Sequence, residues 1–187
     1  MKRQIPFLLT TLRLLLGPAA LACALTGVPR AVFLPILVAG TLSDIFDGII
    51  ARRLGVATPA LRRYDSTTDL IYYLFILAAT WVVCRPVVEL TWWLIALILI
   101  SEALAIGVCQ FKFGKYPATH SYLAKFYGLC LLGGLIALLA FNAGAWVVIV
   151  LTIVALVANT EIIALHLLMD QPPVDVKSIF RRPRANG

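Results

Sequence analysis

Residues 31–54 read AVFLPILVAGTLSDIFDGIIARRL. No charged side chain occurs over residues 31–43, and a helix over the whole stretch would be about 36 Å long at 1.5 Å per residue. That length is enough to cross the roughly 30 Å hydrocarbon core of a bilayer. The stretch therefore predicts a membrane-spanning helix that carries two aspartates close to one of its ends.

The rest of the chain follows the same pattern. Of its 187 residues, 61% are hydrophobic and only 13% are charged, with a mean hydropathy of +0.96. Soluble domains are about half apolar and about a quarter charged, and barrel strands alternate in short segments instead of forming long apolar runs. We therefore predict an all-α integral membrane protein, with a single six-helix catalytic domain over residues 1–170 and a polar, basic tail over residues 171–187. The six predicted transmembrane helices are about Ile5–Thr26, Ala31–Leu54, Asp65–Cys84, Val87–Phe111, Ser121–Phe141 and Ala145–Met169.

The basic residues predict the orientation. They give a net charge of +7 and lie mostly in short connections and at the ends of the chain, which is typical of a topology signal and not of a nucleic-acid-binding surface. If the N-terminus is cytoplasmic, the outer connections carry only Arg30 and Arg85. We therefore predict a multi-pass protein of the inner (cytoplasmic) membrane with both termini in the cytoplasm. The basic residues on the inner side are then Lys2, Arg3, Arg52, Arg53, Arg62, Arg63, Lys112, Lys115, Lys125, Lys177, Arg181, Arg182 and Arg184.

Charged residues inside membrane spans are costly and usually mark function. In the second span, Asp44, Asp47, Gly48 and Ala51 are spaced by three, one and three residues, which places them on one face of a helix. This face combines two carboxylates with two positions that have almost no side chain. A bulky group could lie against the helix backbone there, and Arg52, which follows directly, could hold a phosphate through two hydrogen bonds.

The third predicted span opens with a second acidic pair, Asp65 and Asp69, also on one helix face. A short connection makes the second and third spans antiparallel neighbours, so we expect the carboxylates to meet at the cytoplasmic end. Four carboxylates in a low-dielectric setting repel one another, and a divalent cation relieves that repulsion. Oxygen ligands favour Mg²⁺, Mn²⁺ or Ca²⁺ over Zn²⁺. The pattern predicts a metal–diphosphate site, the alternative being that the acids pair with the connecting arginines, namely Arg52, Arg53, Arg62 and Arg63.

Residues 44–69 resemble the signature of the CDP-alcohol phosphotransferase family. The pattern is Asp, two residues, Asp-Gly, two residues, Ala-Arg, then a Gly and two further Asp at intervals of four. One position departs from it, because Leu61 replaces the Gly that leaves room beside the CDP group. Residues 6–13, Pro-Phe-Leu-Leu-Thr-Thr-Leu-Arg, also resemble the opening helix of the family, with Thr10 and Arg13 matching and Phe7 in place of Asn. The matching positions of the signature are Asp44, Asp47, Gly48, Ala51, Arg52, Asp65 and Asp69.

The resemblance implies a reaction and a role for each matching residue. A phosphatidyl group would pass from CDP-diacylglycerol to the hydroxyl of an alcohol, with release of CMP. One or two Mg²⁺ or Mn²⁺ ions would be held by Asp44, Asp47 and Asp65, with Asp69 contributing. Asp69 would also be the general base. The residues implied at the CDP site are Thr10, Asp44, Asp47, Gly48, Ala51, Arg52 and Leu61. The resemblance also implies a homodimer with its active site facing the cytoplasm.

The acceptor alcohol is less clearly indicated. A basic cytoplasmic segment before the fifth span could bind a phosphorylated acceptor such as glycerol-3-phosphate, or could equally contact lipid headgroups. We assign the acceptor to residues Arg13, Lys112, Lys115, His120 and Lys125. Two glutamates, Glu102 and Glu161, lie inside the fourth and sixth spans, and we expect them to pair with Arg13 or with each other through a proton. Ser101 stands where glycerophosphate-using relatives often have Arg.

Three other interpretations remain open. A membrane prenyltransferase would also use aspartates, metal and diphosphate, but it would need two well-separated acidic motifs and more than six helices. A divalent-cation carrier would need acids near the bilayer midplane and often an inverted repeat, which the sequence does not show. A family member with Leu61 could keep CDP-lipid binding and have weakened turnover.

Overall fold

The structure is a computed structural model that describes residues 4–56, 58–114, 121–169, 171, 176 and 178, without the side chains at 59 and 62. This part of the chain is helical, with no strand. Each of its α-helices contains a stretch long and apolar enough to cross a membrane, which confirms the predicted fold class. The helices are α1 (Ile5–Thr26), α2 (Phe33–Arg53, preceded by a 3₁₀ turn at Arg30–Val32), α3 (Pro59–Val83), α4 (Arg85–Phe113), α5 (Tyr122–Leu139) and α6 (Trp146–Leu168).

The start of α3 is the largest difference from the predicted helix ends. The helix begins at Pro59, six residues before the predicted Asp65. Thr58 is the N-cap, and its hydroxyl accepts a hydrogen bond from the Leu61 backbone N–H at 3.2 Å. Threonine caps a helix well, and proline suits the first turn because its missing N–H would have no partner there. The hydropathy pattern marked where the apolar run begins, whereas the cap determines where the helix begins.

The junction of α3 and α4 consists of one residue, Cys84. The fourth span was predicted to begin at about Val87, but α4 begins two residues earlier, at Arg85. Pro86 lies in the first turn of α4, where proline is tolerated. Arg30 donates to the carbonyl oxygens of Val83 at 2.8 Å and Leu138 at 3.2 Å, which satisfies the ends of α3 and α5. The Cys84 thiol also donates to the Leu138 carbonyl oxygen at 3.2 Å.

The chain forms two compact units, Met1–Val88 with Leu135–Ala143 and Glu89–Gly134 with Gly144–Gly187. In the first unit, α2 and α3 both pack closely along α1. Two glycines allow the close packing within this unit. A Cβ at Gly17 would lie 3.3 Å from Tyr72 Cα, and a Cβ at Gly40 would lie 2.6 Å from Tyr72 Cζ. The assignment of residues 1–170 to one catalytic domain stays a prediction.

In the second unit, polar side chains on the helices form hydrogen bonds with other helices and with the C-terminal tail. Tyr127 donates to Glu102 Oε1 at 2.7 Å, and Ser178 donates to Glu161 Oε1 at 3.0 Å. Neither of these two hydrogen bonds is with Arg13 or with the other glutamate, which were the partners predicted for Glu102 and Glu161. Asn159 donates to Ser101 Oγ at 2.8 Å. Hydrogen bonds of this kind are a common means of joining helices in lipid, so Ser101 has a packing role here.

Candidate metal and diphosphate site

The four aspartates lie on two helices of the first unit. Asp44 and Asp47 occupy the last three turns of α2, and Asp65 and Asp69 occupy the first half of α3. Their exposure differs, because the Asp47 side chain is only 5% accessible while the Asp44 side chain is 49% accessible. Asp65 and Asp69 are intermediate, at 35% and 33%. The cluster therefore has one buried carboxylate and three that solvent or a ligand can reach.

Three of these carboxylates converge as predicted. One oxygen each of Asp44, Asp47 and Asp65 lies within 4.8 Å of the others. Two ligand oxygens on opposite sides of a Mg²⁺ ion are about 4.2 Å apart, given metal–oxygen distances of about 2.1 Å. The three oxygens thus need only a small movement to bind such an ion, and an all-carboxylate donor set suits Mg²⁺ or Mn²⁺. The residues present therefore fit the divalent metal that the sequence analysis predicts.

The centre of the cluster is occupied by Arg13 of α1. Its Nη1 donates to Asp44 Oδ1 at 2.9 Å, and its Nη2 donates to Asp47 Oδ2 at 2.6 Å and to Asp65 Oδ1 at 2.8 Å. Nη1 also forms an ion pair with Asp69. The Arg13 side chain is 1% accessible, so this guanidinium lies entirely within the protein.

This arrangement changes the expected pairing of the acids. Among the described side chains, the ion pairs of the four aspartates are with Arg13, and none is with Arg52, Arg53 or Arg63. Sequence reasoning missed the central position of Arg13. A signal was present, because a basic residue in the middle of an apolar span needs an acidic partner, and α1 contains no Asp or Glu.

Thr10 adds a second contact from α1. Its hydroxyl oxygen lies 2.9 Å from Asp47 Oδ2 and 3.0 Å from the Pro6 carbonyl oxygen, so its one proton is shared between two acceptors. Thr10 and Arg13 are three residues apart and therefore lie on one face of α1. Together they satisfy the oxygen of the buried Asp47. The role of Thr10 at the CDP site, which the resemblance implies, stays a prediction.

The positions assigned to CDP lie on α2 and at the start of α3. A Cβ at Gly48 would lie 3.5 Å from Arg52 Nη1, which means that the exposed Arg52 guanidinium lies over the missing side chain. Ala51 is 6% accessible and Leu61 is half-buried. Leu61 is held in the first turn of α3 by its bond to Thr58. Their roles at a nucleotide stay predictions.

The positions assigned to the acceptor are only partly described. Lys112 is exposed at the end of α4, where its Nζ donates to the Leu167 carbonyl oxygen at 2.8 Å. Lys125 is exposed in the first turn of α5. Lys115 and His120 lie outside the described residues. Arg13, the fifth residue of that set, lies among the aspartates, and its assignment to the acceptor stays a prediction.

Comparison with known proteins adds one match. The family model described as CDP-alcohol phosphatidyltransferase matches residues 3–160, a range that includes Arg13 and all four aspartates. No curated protein and no solved structure matches the chain.

Proposed function

The chain belongs to the CDP-alcohol phosphatidyltransferase family, and from this premise we propose that it transfers a phosphatidyl group from CDP-diacylglycerol to the hydroxyl of an alcohol, releasing CMP. The observation that carries the proposal is the convergence of carboxylate oxygens from Asp44, Asp47 and Asp65 within 4.8 Å. These are three of the residues at which the chain matches the family signature. A multi-pass helical membrane protein is also the setting in which a lipid donor and a polar acceptor can both reach one site.

The divalent ion is proposed to be Mg²⁺ or Mn²⁺, in one or two copies, held by Asp44, Asp47 and Asp65 with Asp69 contributing. When bound, it neutralises charge on the diphosphate oxygens and orients the displacement at phosphorus. The carboxylates are held on helices and not on a loop. Helices keep ligand positions fixed more accurately than loops do.

The CDP group is proposed to lie along the exposed face of α2. Gly48 has no side chain to block its approach, and the Arg52 guanidinium that lies over Gly48 is exposed and has a fork geometry that suits phosphate oxygens. Thr10 and Ala51 complete the predicted set. Leu61 takes the place of the family glycine, so its side chain would reduce the room beside the nucleotide.

Asp69 is proposed to be the general base. It lies one helical turn after Asp65 on α3, and its side chain is 33% accessible, so an acceptor hydroxyl can reach it. In the transfer step the hydroxyl oxygen forms a bond to the phosphorus that carries the diacylglycerol, while its proton passes to Asp69. The bridging P–O bond breaks, and CMP leaves with the electron pair.

The acceptor is proposed to be a small polar alcohol, such as glycerol-3-phosphate or another phosphorylated alcohol. Basic side chains at Lys112, Lys115, His120 and Lys125 would favour a phosphate, and contact with lipid headgroups is the other role open to them. The excess of basic residues on one side of the predicted topology supports a site that faces the cytoplasm from the inner membrane. A homodimer is proposed from family likeness alone.

One experiment tests the proposal directly. The purified protein in lipid nanodiscs would receive CDP-diacylglycerol, Mg²⁺ or Mn²⁺ and a panel of alcohols, and CMP release would be measured. CMP release with one alcohol that is lost in Asp69→Asn would support the transfer. Binding of CDP-lipid without CMP release would indicate a weakened family member. Metal transport by the same protein reconstituted into lipid vesicles, without CMP release, would indicate a carrier.

A further inference from the structure

The Arg13 guanidinium lies where a metal ion would have to bind. We infer that Arg13 is the resident cation of the metal-free site and that a divalent ion enters by taking over the carboxylate oxygens held by this guanidinium. The inference rests on the proposed metal dependence. It makes Arg13 a positioning residue that competes with the metal, in addition to the acceptor role predicted for it.

The Nη atoms of Arg13 contact carboxylate oxygens that would also bind a metal ion. Nη2 lies between Asp47 Oδ2 and Asp65 Oδ1, at 2.6 and 2.8 Å, and Nη1 lies 2.9 Å from Asp44 Oδ1. A Mg²⁺ ion at about 2.1 Å from these oxygens would occupy the same space as the nitrogens. Each carboxylate has a second oxygen, but a metal ion bound only by these second oxygens would lie next to the guanidinium. Two cations a few ångströms apart in a low-dielectric setting repel each other strongly.

Arg13 also balances part of the negative charge of the four carboxylates. Four carboxylates carry a formal charge of −4, and the structure brings a single Arg, 1% accessible, into contact with all of them. Without a counterion, the repulsion among these carboxylates and the burial of Asp47 would disfavour the folded state. Arg13 therefore allows α1, α2 and α3 to pack together before any metal arrives. A divalent ion brings more positive charge and closer contacts to the same oxygens, so it can replace the guanidinium.

The hydrogen bonds of Arg13 are incomplete within the described part of the chain. The Arg13 Nε–H is buried and has no partner among the described residues. An arginine built only to stabilise the fold would be expected to have its donors satisfied. The Nε–H therefore forms no hydrogen bond within the described residues that would have to break if the side chain moved. Movement of the side chain after metal entry is then less unfavourable than it would be for a fully bonded arginine.

The test measures metal affinity, not turnover. Mn²⁺ binding to the purified full chain would be followed by electron paramagnetic resonance, without substrate. Arg13→Gln is expected to bind Mn²⁺ about tenfold more tightly than the unsubstituted protein, which corresponds to about 1.4 kcal/mol. The matched control is Arg63→Gln, which removes the same charge from an exposed position on α3 that has no ion pair with the aspartates. The control should change the affinity by less than about twofold, as expected for an exposed charge in salt.

A second variant and a second readout cover the case in which Arg13→Gln folds poorly. Arg13→Lys keeps the charge but has one nitrogen, which cannot contact four carboxylates as two Nη atoms do, so its Mn²⁺ affinity should be intermediate. Addition of Mn²⁺ should raise the melting temperature of Arg13→Gln more than that of the unsubstituted protein. A requirement of Arg13→Gln for Mn²⁺ to remain folded would support the inference.

Two negative results are possible, and each would overturn a different proposal. Equal or weaker Mn²⁺ binding in Arg13→Gln or, if that variant does not fold with Mn²⁺, in Arg13→Lys would overturn the competing role of Arg13 and leave the proposed transfer intact. Absence of Mn²⁺ binding in both the unsubstituted protein and the Arg13 variants would overturn the proposed metal site itself, and the inference with it.

Discussion

Arg13 of α1 and Asp47 of α2 form a buried ion pair, with Nη2 2.6 Å from Oδ2 and side chains that are 1% and 5% accessible. The same nitrogen also donates a hydrogen bond to Asp65 Oδ1 of α3 at 2.8 Å. A single guanidinium therefore joins α1, α2 and α3. Removal of one partner from a buried pair typically destabilises a protein by about 3–5 kcal/mol, because the remaining charge stays buried without compensation. The site and the packing of the first unit therefore depend on the same contacts.

Measurements of CDP binding with metal present should distinguish the proposed metal ligands from the proposed general base. Asp44→Ala, Asp47→Ala and Asp65→Ala each remove an oxygen from the converging set, so metal-dependent CDP binding should weaken by at least about 100-fold. Loss of an outer-shell partner alone weakens metal binding by about 10- to 100-fold, and these residues are the proposed ligands themselves. Asp69→Asn should leave CDP binding within a few-fold and stop CMP release. Calorimetric titration of CDP with Mn²⁺ would measure the first effect, and full turnover by Asp69→Asn would show that the base is another group.

Thr10 and Thr11 form a matched pair for a test of the α1 contact. The Thr10 hydroxyl is hydrogen-bonded to Asp47 Oδ2. The Thr11 hydroxyl is hydrogen-bonded to the Phe7 carbonyl oxygen and to Tyr64 OH, and not to any of the four aspartates. Valine has nearly the shape of threonine without the hydroxyl. Thr10→Val should weaken Mn²⁺ binding by about tenfold, as expected for loss of a group that orients a ligand. Thr11→Val should not change it, and an equal effect of the two substitutions on Mn²⁺ titrations would mean that the Thr10 contact does not orient Asp47.

The close approach of Gly40 and Tyr72 makes a prediction about stability. A Cβ at Gly40 would lie 2.6 Å from Tyr72 Cζ, so Gly40→Ala should lower the stability by about 1–3 kcal/mol, the usual effect of overpacking. Gly107 is the control, since nothing lies within 4 Å of its Cβ position among the described residues. Gly107→Ala should leave the melting temperature unchanged or raise it, because alanine favours a helix interior.

Removal of the Tyr72 hydroxyl gives a second test of the contact between Gly40 and Tyr72. This hydroxyl is buried and has no hydrogen-bond partner among the described residues. Tyr72→Phe removes a polar group that is not satisfied, so it should be neutral or stabilising. It should also recover part of the loss caused by Gly40→Ala, since the hydroxyl is the part of the ring nearest to the added methyl group. Thermal unfolding of the single and double variants in detergent measures this, and strictly additive effects would contradict the contact.

Much of the fold and part of the site could be predicted from residue patterns. The helices followed from apolar runs, and the meeting of Asp44, Asp47 and Asp65 followed from helical spacing and a short connection. The position of Arg13 at their centre did not follow, because it depends on α1 packing against both α2 and α3. Periodicity within one helix does not say which helices will be its neighbours. The same applies to Tyr72, whose packing on Gly40 is a contact between distant parts of the sequence.

Leu61 is the position at which the chain departs from its family, and its contacts predict opposite effects on stability and binding. The backbone N–H of residue 61 donates a hydrogen bond to the Thr58 hydroxyl whatever the side chain is. Leu61→Gly therefore keeps this hydrogen bond but places a glycine in the first turn of α3. Glycine lowers helix stability by up to about 1 kcal/mol, so the melting temperature should fall slightly. Affinity for CDP with Mn²⁺ should stay the same or increase, because the side chain that reduces the room beside the nucleotide is gone. Leu61→Ala is the control that shortens the side chain with little effect on the helix. A large loss of CDP affinity in both variants, measured by the same titration, would mean that Leu61 contacts the nucleotide favourably in this protein.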